Sequence, residues 1–484
     1  MGVNLVGWTW SKGVTFVIAI LLSTLLGKVG VGRYAQALAI LMVLELVALL
    51  PFGSGLMRLV AVQRDDPSTV RGTIRVAVGL TGATSAVLAA MLFAGAPWLA
   101  RAVLNDSGLL VPLRLVAGAL VPMALADALL NSSMGYQRMR AYALVKLVTE
   151  PAVRLGLLAV LVIVGLGAIG AVAALVVSCS VEAALAWLAL RRWAGRWYAG
   201  PARYRVRELC GFSMSTGLGA LAGMGLIWAD SIILGVYRSS GDVGVYQVAT
   251  RIMMLATFVS PALNVAFAPR IAAFTLRGED AALRRSYVMV TTWTLRLSIP
   301  SIALLAVFTK DILRVFGPAF PAAAGVTLVL LLGALWNAWT GPGMQMLTMS
   351  GHPMWGALNN AAALTLNVAL NLVLIPRFGV IGAAWAWTAA LLAVNLARLL
   401  QVRRLLGMWP FSLAQASVVL IGLESGLMAA VATHWSGWPT RLAVGVLVVT
   451  ASYAVLTAMS LTGDDRATLQ QVVGRAKARS ARDS

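Results

Sequence analysis

The sequence predicts an all-α polytopic membrane protein of about fourteen transmembrane helices, arranged as two parallel six-helix repeats and a C-terminal helix pair. Three observations predict it. Hydrophobic residues make up 60% of the 484 and charged residues only 11%, where a soluble domain carries about a quarter charged. The apolar residues fall into blocks of roughly 20, enough at ~1.5 Å per residue to cross a ~30 Å hydrocarbon core. Two segments recur at one constant offset.

The blocks run over 5–27, 34–56, 76–99, 109–133, 144–164, 166–190, 210–236, 245–270, 288–309, 321–349, 355–376, 380–402, 411–434 and 440–461. The first lacks a basic leader and a small-residue cleavage site, and an equally long block follows it. It therefore reads as a span, not a cleaved signal. Loops after even-numbered spans, with the tail, hold 25 Lys and Arg, against 9 in loops after odd-numbered spans. That asymmetry puts both termini in the cytoplasm. It also accounts for the net charge of +21. The basic run "RRWAGRWYAGPARYRVRE" (191–208) reads as topology and anionic headgroup contact, so no nucleic-acid partner is expected.

Cys179 and Cys210 form no motif, and His352 and His434 are isolated, so neither a disulfide nor a metal site is inferred. Trp98, Trp193, Trp197, Trp435 and Trp438 read as interfacial anchors. No G-x-x-x-x-G-K-[ST] phosphate loop occurs, which argues against ATP-driven chemistry within this chain.

The repeat links "LLGKVGVGRYAQALAI" (25–40) to "ILGVYRSSGDVGVYQVATRI" (233–252), with Val31-Gly32-x-Tyr34 on Val243-Gly244-x-Tyr246 at an offset of 212. "GLGAIGAVAAL" (165–175) matches "RFGVIGAAWAW" (377–387) at the same offset, with Gly167, Ile169 and Gly170 on Gly379, Ile381 and Gly382. Six spans per repeat is an even number, so both copies insert the same way up, a known transporter plan with substrate near the midplane. The chain divides into an N-lobe (1–200), a C-lobe (201–405) and a segment 406–484 with the last two spans and a basic cytoplasmic tail.

An ordered series of segments carries a family resemblance. It comprises "LLGKVGVGRYAQALAI", "MGYQRMRAYALVKLVTEPAVRLGL" (134–157), "WADSIILG", "DVGVYQVATRIMML", "SPALNVAFAPRIA" (260–272) and "TMSGHPMWGALNNAAALTLNVALNLVLIPRFGVIGAAWA" (348–386). Over about 10–405 the chain resembles the polysaccharide and O-antigen flippases of the multidrug/oligosaccharidyl-lipid/polysaccharide (MOP) exporter superfamily. The resemblance implies V-shaped lobes that alternate between inward-open and outward-open states in a bacterial cytoplasmic (inner) membrane. Its implied substrate is a polyprenyl-pyrophosphate-linked glycan, moved to the outer leaflet without catalytic chemistry. A monomer among membrane lipids is expected, with polysaccharide-assembly partners left open. A cation-coupled drug exporter of the same superfamily is the first alternative. A membrane glycosyltransferase or polymerase is the second, disfavoured because the short outer loops hold only Asp106, Asp242 and Asp311.

Ten charges fall inside spans: Lys12, Glu45, Asp127, Glu150, Arg154, Glu182, Asp230, Arg251, Arg296 and Glu424. Each costs roughly 2.5–3.5 kcal/mol at mid-bilayer unless it pairs or meets water. Asp230 and Arg251 share a depth, ~10 Å below the outer surface, and can meet across a hairpin. Lys12 and Glu45 share another. Glu150 and Arg154 are placed as an i,i+4 pair, with Asp127 and Glu182 at similar depth. Shifted by the repeat, Lys12 falls near Ala220, Glu45 on Thr257 and Arg251 on Ala39, so the fold does without these charges in its other half.

A diphosphate needs cations, which points to Lys12, Arg251 and Arg296, with Arg58 at a cytoplasmic end. Asp230 and Glu45 suit coupling to H⁺ or Na⁺, and no other cofactor is expected. Asn264, Asn337, Asn359, Asn360, Asn367 and Asn371 supply neutral hydrogen-bonding groups for sugars, or join helices.

Overall fold

The computed structural model describes residues 2–49, 53–63, 65–195, 197–204, 206–434 and 437–460. The tail bases (466–482), Arg196 and Arg205 of the linker, and Trp435 lie outside the described residues. So do the side chains of Trp193, Cys210 and Trp438.

Every regular element among the described residues is a helix, and ten helical runs are long and apolar enough to cross a membrane. The chain opens with α1 (Gly2–Leu49), α2 (Gly53–Val62), α3 (Pro67–Trp98) and α4 (Leu110–Gly135). Then come α5 (Met139–Tyr142), α6 (Glu150–Leu161) and α7 (Gly167–Ala194), joined through π turns. The next group is α8 (Val206–Tyr237), α9 (Ser240–Ala256), α10 (Val259–Arg277), α11 (Asp280–Val307) and α12 (Thr309–Val315). It is followed by α13 (Ala324–Thr340), α14 (Gly343–Met349), α15 (Pro353–Phe378) and α16 (Val380–Leu406). The last pair is α17 (Leu413–Ala432) and α18 (Trp438–Ser460).

Local chemistry sets the breaks. α1 is interrupted at Gly27, whose φ of 63° takes it out of the helix. Asp66 caps α3, its carboxylate accepting from Ser68 N at 3.0 Å and Thr69 N at 3.3 Å, with Pro67 pre-set at the first helical position. Hydrogen bonds from Ser68 and Thr69 hold that carboxyl well below the usual range. Gly167 (φ 52°, ψ −135°) and Gly379 (φ 64°, ψ −136°) open α7 and α16 with nearly the same backbone conformation, which favours glycine. They are the residues matched by the sequence repeat.

The largest core joins α1, α4, α7, α9 and α13 around Leu41, Leu113, Val172, Val243 and Leu330. A second core lies among α2, α3 and α4 and includes Trp197. Trp197 is thus buried, not an interfacial anchor like the exposed Trp98. The linker crosses the start of α3: Arg75 donates to the Trp197 and Gly200 carbonyls at 3.0 and 2.9 Å, and Arg71 to Pro201 O at 3.1 Å. Bases counted above for topology therefore also fasten the linker.

Candidate functional site between the first helices of the two lobes

The two copies of the repeated turn lie against each other. α1 packs along α9, and Gly32 and Gly244 let the backbones touch. A Cβ on Gly32 would overlap the Ser240 carbonyl, and one on Gly244 the Lys28 carbonyl. Beside this contact, Arg33 Nε and Nη2 donate to Asp106 Oδ2 and Oδ1, both at 2.8 Å, and Ser240 Oγ donates to Oδ2 at 2.6 Å. Burial pushes the Asp106 carboxyl up, but bonds from Arg33, Ser240 and the Gly108 amide outweigh it and hold it below the usual range. One carboxylate thus ties α1 to α9 at the closed end of the seam.

Next to this contact the seam encloses small cavities. One, of about 30 Å³, is lined by Leu22, Val31, Tyr34, Leu38, Gln247 and Arg251. Another, of about 60 Å³, is lined by Asp230, Tyr246, Gln247, Arg251 and Trp387 among others. Arg251 lines both cavities. Lys12 lines neither; it lies further along α1, its ammonium 5.1 Å from the Trp8 ring, within electrostatic reach of Arg251. Arg154 has a counterion in Glu150, 3.5 Å away, as its i,i+4 spacing predicts. Lys12 and Arg251 form no ion pair with a carboxylate among the described residues. Both remain available to an anion.

Asp230 and Arg251 share a cavity but do not pair. The Asp230 carboxylate accepts from Tyr246 Oη at 2.6 Å, Asn367 Nδ2 at 2.9 Å and Asn371 Nδ2 at 2.6 Å. All three donors are neutral, so its charge is solvated without being cancelled. Asn367 therefore serves Asp230 from α15, and no sugar is needed to explain it. Depth along a hairpin predicted the encounter with Arg251. It could not reveal partners on a helix more than 130 residues away.

Glu45 meets Lys146, not Lys12. Lys146 Nζ lies 2.7 Å from Asp127 Oδ1 and 3.2 Å from Glu182 Oε1, and Glu45 faces the same group. Three carboxyls therefore surround one ammonium. Glu45 is 7% exposed, and its Oε1 has no hydrogen-bond partner.

A third polar region lies among α10, α13, α14 and α16. A cavity of about 180 Å³ is lined by Ser260, Asn264, Thr294, Asn337, Gln345, Asn395 and Arg398, among others. Arg398 donates to Asn395 Oδ1 at 3.0 Å and to Asn360 Oδ1 at 2.8 Å, and Asn395 donates to Asn337 Oδ1 at 3.0 Å. Three of the asparagines singled out in the sequence, Asn264, Asn337 and Asn360, thus gather around Arg398. Asn359 is spent on a reciprocal amide pair with Gln401.

Arg296 lies elsewhere, 2% exposed on α11, its guanidinium 5.4 Å from the Trp293 ring. Tyr453 of α18 donates to its carbonyl at 2.5 Å. Arg58 is exposed on α2. Neither lines the cavities described above. Sequence reasoning counted Lys146 and Arg398 with the cytoplasmic loop bases and so missed them. Each lies just inside the cytoplasmic end of an apolar block, 144–164 and 380–402, on a helical run that continues past it, and that continuity was the available signal.

Residues 1–275 match the polysaccharide biosynthesis protein family, and residues 217–373 match the MatE family. The probable flippase AglR of Haloferax volcanii is 28% identical over 284 residues, 57% of this chain and 59% of that protein. The probable low-salt glycan biosynthesis flippase Agl15 of the same organism is 28% identical over 200 residues, 40% of this chain and 41% of that one. The matches therefore span less than two thirds of either relative. Among solved structures, the lipid II flippase MurJ in an inward closed conformation superposes with a TM-score of 0.76 at 11% identity, covering 95% of this chain and 98% of that one. An inward-facing multidrug resistance MATE family transporter of the MOP superfamily gives 0.68 at 13%, covering 83% and 94%. The chain belongs to the polysaccharide biosynthesis protein family and carries the helical fold shared by these flippases and multidrug transporters.

Proposed function

We propose that the chain is a flippase that carries a polyprenyl-pyrophosphate-linked oligosaccharide from the cytoplasmic to the outer leaflet by alternating access. The observation that carries this reading is the pair of unmatched cations, Lys12 and Arg251, on facing helices at the lobe seam. A diphosphate supplies the counter-charge they lack, and the Arg251 guanidinium offers it paired donors. Asn264, Asn337 and Asn360 around Arg398 suit sugar hydroxyls. The largest of the cavities described, about 180 Å³, is below the ~300 Å³ of an ordinary small-ligand pocket. An oligosaccharide therefore requires the lobes to separate.

The finer architecture belongs to the same reading. Fourteen spans form two parallel six-helix lobes, 1–200 and 201–405, with 406–484 appended. The matched conformations of Gly167 and Gly379, and the facing Gly32 and Gly244, support it. Both termini face the cytoplasm, and the chain works as a monomer in the cytoplasmic membrane. Coupling is to H⁺ or Na⁺, with Asp230 and Glu45 as the carboxylates concerned, since neither has a dedicated cation. The MatE match over 217–373 favours a second reading, a cation-coupled drug exporter.

The test is transport by the purified chain in proteoliposomes loaded with a lipid-linked saccharide fraction from the source cells. The flippase reading expects saccharide transfer between leaflets, slowed at least tenfold by Arg251→Ala at equal insertion. Efflux of cationic dyes with no saccharide transfer would establish the exporter instead.

A further inference from the structure

The terminal helix α17 carries a charge that the lobes do not use. Its inner face is closed against α11: a Cβ on Gly422 would overlap Ile299, and one on Gly426 would stand 3.4–3.5 Å from Val307 and Ala303. This small-xxx-small pair lets the two backbones approach. Gln415, Val418, Ser425 and Ala429 are buried on that side.

The outer face is a different surface. Leu413, Ser417, Leu420, Glu424, Leu427 and Val431 follow one another at alternating steps of four and three, the spacing of a helix-packing seam. All six are exposed, with Leu420 at 59%, Leu427 at 67% and Val431 at 68%. Glu424 is the twelfth of the helix's 20 residues, so it lies near mid-bilayer. A glutamate is too short to reach either interface from there. Intramembrane carboxylates are rare on lipid-facing surfaces and normally have a partner. No ion pair to Glu424 exists among the described residues.

We infer that this seam docks a transmembrane helix of another protein, one that carries an Arg or Lys at mid-bilayer depth opposite Glu424. Charge complementarity selects the occupant. A second copy of α17 in the same seam would set Glu424 against Glu424, and a purely apolar helix would leave the carboxylate without a donor.

The experiment uses the full chain in lipid nanodiscs and three dye-labelled synthetic transmembrane peptides. They are Leu-rich and differ only in a central Arg, Leu or Glu. Energy transfer from a donor on the chain reports association. The Arg peptide should bind about tenfold or more tightly than the Leu peptide, and the Glu peptide no better than Leu. Glu424→Leu should abolish the preference and Glu424→Gln should weaken it. Equal binding of the three peptides would overturn the inference. So would self-association of the wild-type chain that Glu424→Leu removes, because the occupant would then be a second copy. The readout needs no transport, so its failure is distinct from failure of the flippase reading.

Discussion

Replacing Gly244 by alanine should hold the lobe seam open. In the closed arrangement the added Cβ overlaps the Lys28 carbonyl oxygen and stands 2.9 Å from its carbon and 3.1 Å from Gly32 N. Ordinary contact begins at 3.4 Å, so clearing the carbonyl oxygen requires α1 and α9 to part by about an ångström or more. The obstacle is main chain on a packed helix, so no rotamer change relieves it. Overpacking of this kind costs roughly 1–3 kcal/mol, about a 5- to 150-fold shift in the closed-to-open ratio. Alanine's better helix propensity acts in both conformations and cancels. Spin labels placed by Val29→Cys and Tyr237→Cys, in a background with both native cysteines replaced, report the separation. Both positions are exposed. Gly244→Ala should lose the short-distance population, whereas Gly118→Ala, with nothing within 4 Å of its Cβ, should not. Identical distance distributions for wild type and Gly244→Ala would refute the close-approach argument.

Other expectations follow from the same geometry. The Asp106 carboxyl is held below its usual range while the seam is closed. Its contribution is therefore full at neutral pH and lost only as pH falls through that depressed value; the spin-label distances should open in acid, and Asp106→Asn should remove this response. Gln36 is 1% exposed with both amide atoms unpartnered where it meets Gly235, so Gln36→Leu should favour closure by about 1–3 kcal/mol, read as a larger short-distance population. Lys146→Met leaves three carboxyls without their cation. It should destabilise by about 3–5 kcal/mol in thermal unfolding, with partial recovery in Lys146→Met/Glu182→Gln. Asp230→Asn keeps the shape of its hydrogen-bonded site but removes the charge; saccharide transfer should continue without its dependence on an ion gradient.

The membrane-spanning helical class was legible from apolar block length, and the important turns from the repeat. Gly32 and Gly244 were found in sequence as a shared motif; that they face each other required the fold. Gly167 and Gly379 were found the same way and proved to share a backbone conformation. The site was legible in part. Residue types were readable, since a charge in an apolar span is costly wherever it points. Partners were not, because depth along one helix leaves rotation about its axis undetermined. Asp230 thus drew Asn367 and Asn371 from α15, and Glu45 drew Lys146 from the start of the fifth apolar block. Arg296, read from the sequence as an in-span base for a diphosphate, is buried on α11 beside Trp293 and lines none of the cavities described.

Loss of a flippase strands its lipid-linked substrate on the leaflet where it is made. The most direct measurement is mass spectrometry of polyprenyl-linked saccharides in source cells lacking this gene, with leaflet sidedness read by impermeant glycan labelling. A lipid-linked oligosaccharide trapped in the cytoplasmic leaflet, and released by the wild-type gene but not by one encoding Arg251→Ala, is the predicted result. An unchanged pool of every such lipid, on both leaflets, would contradict it.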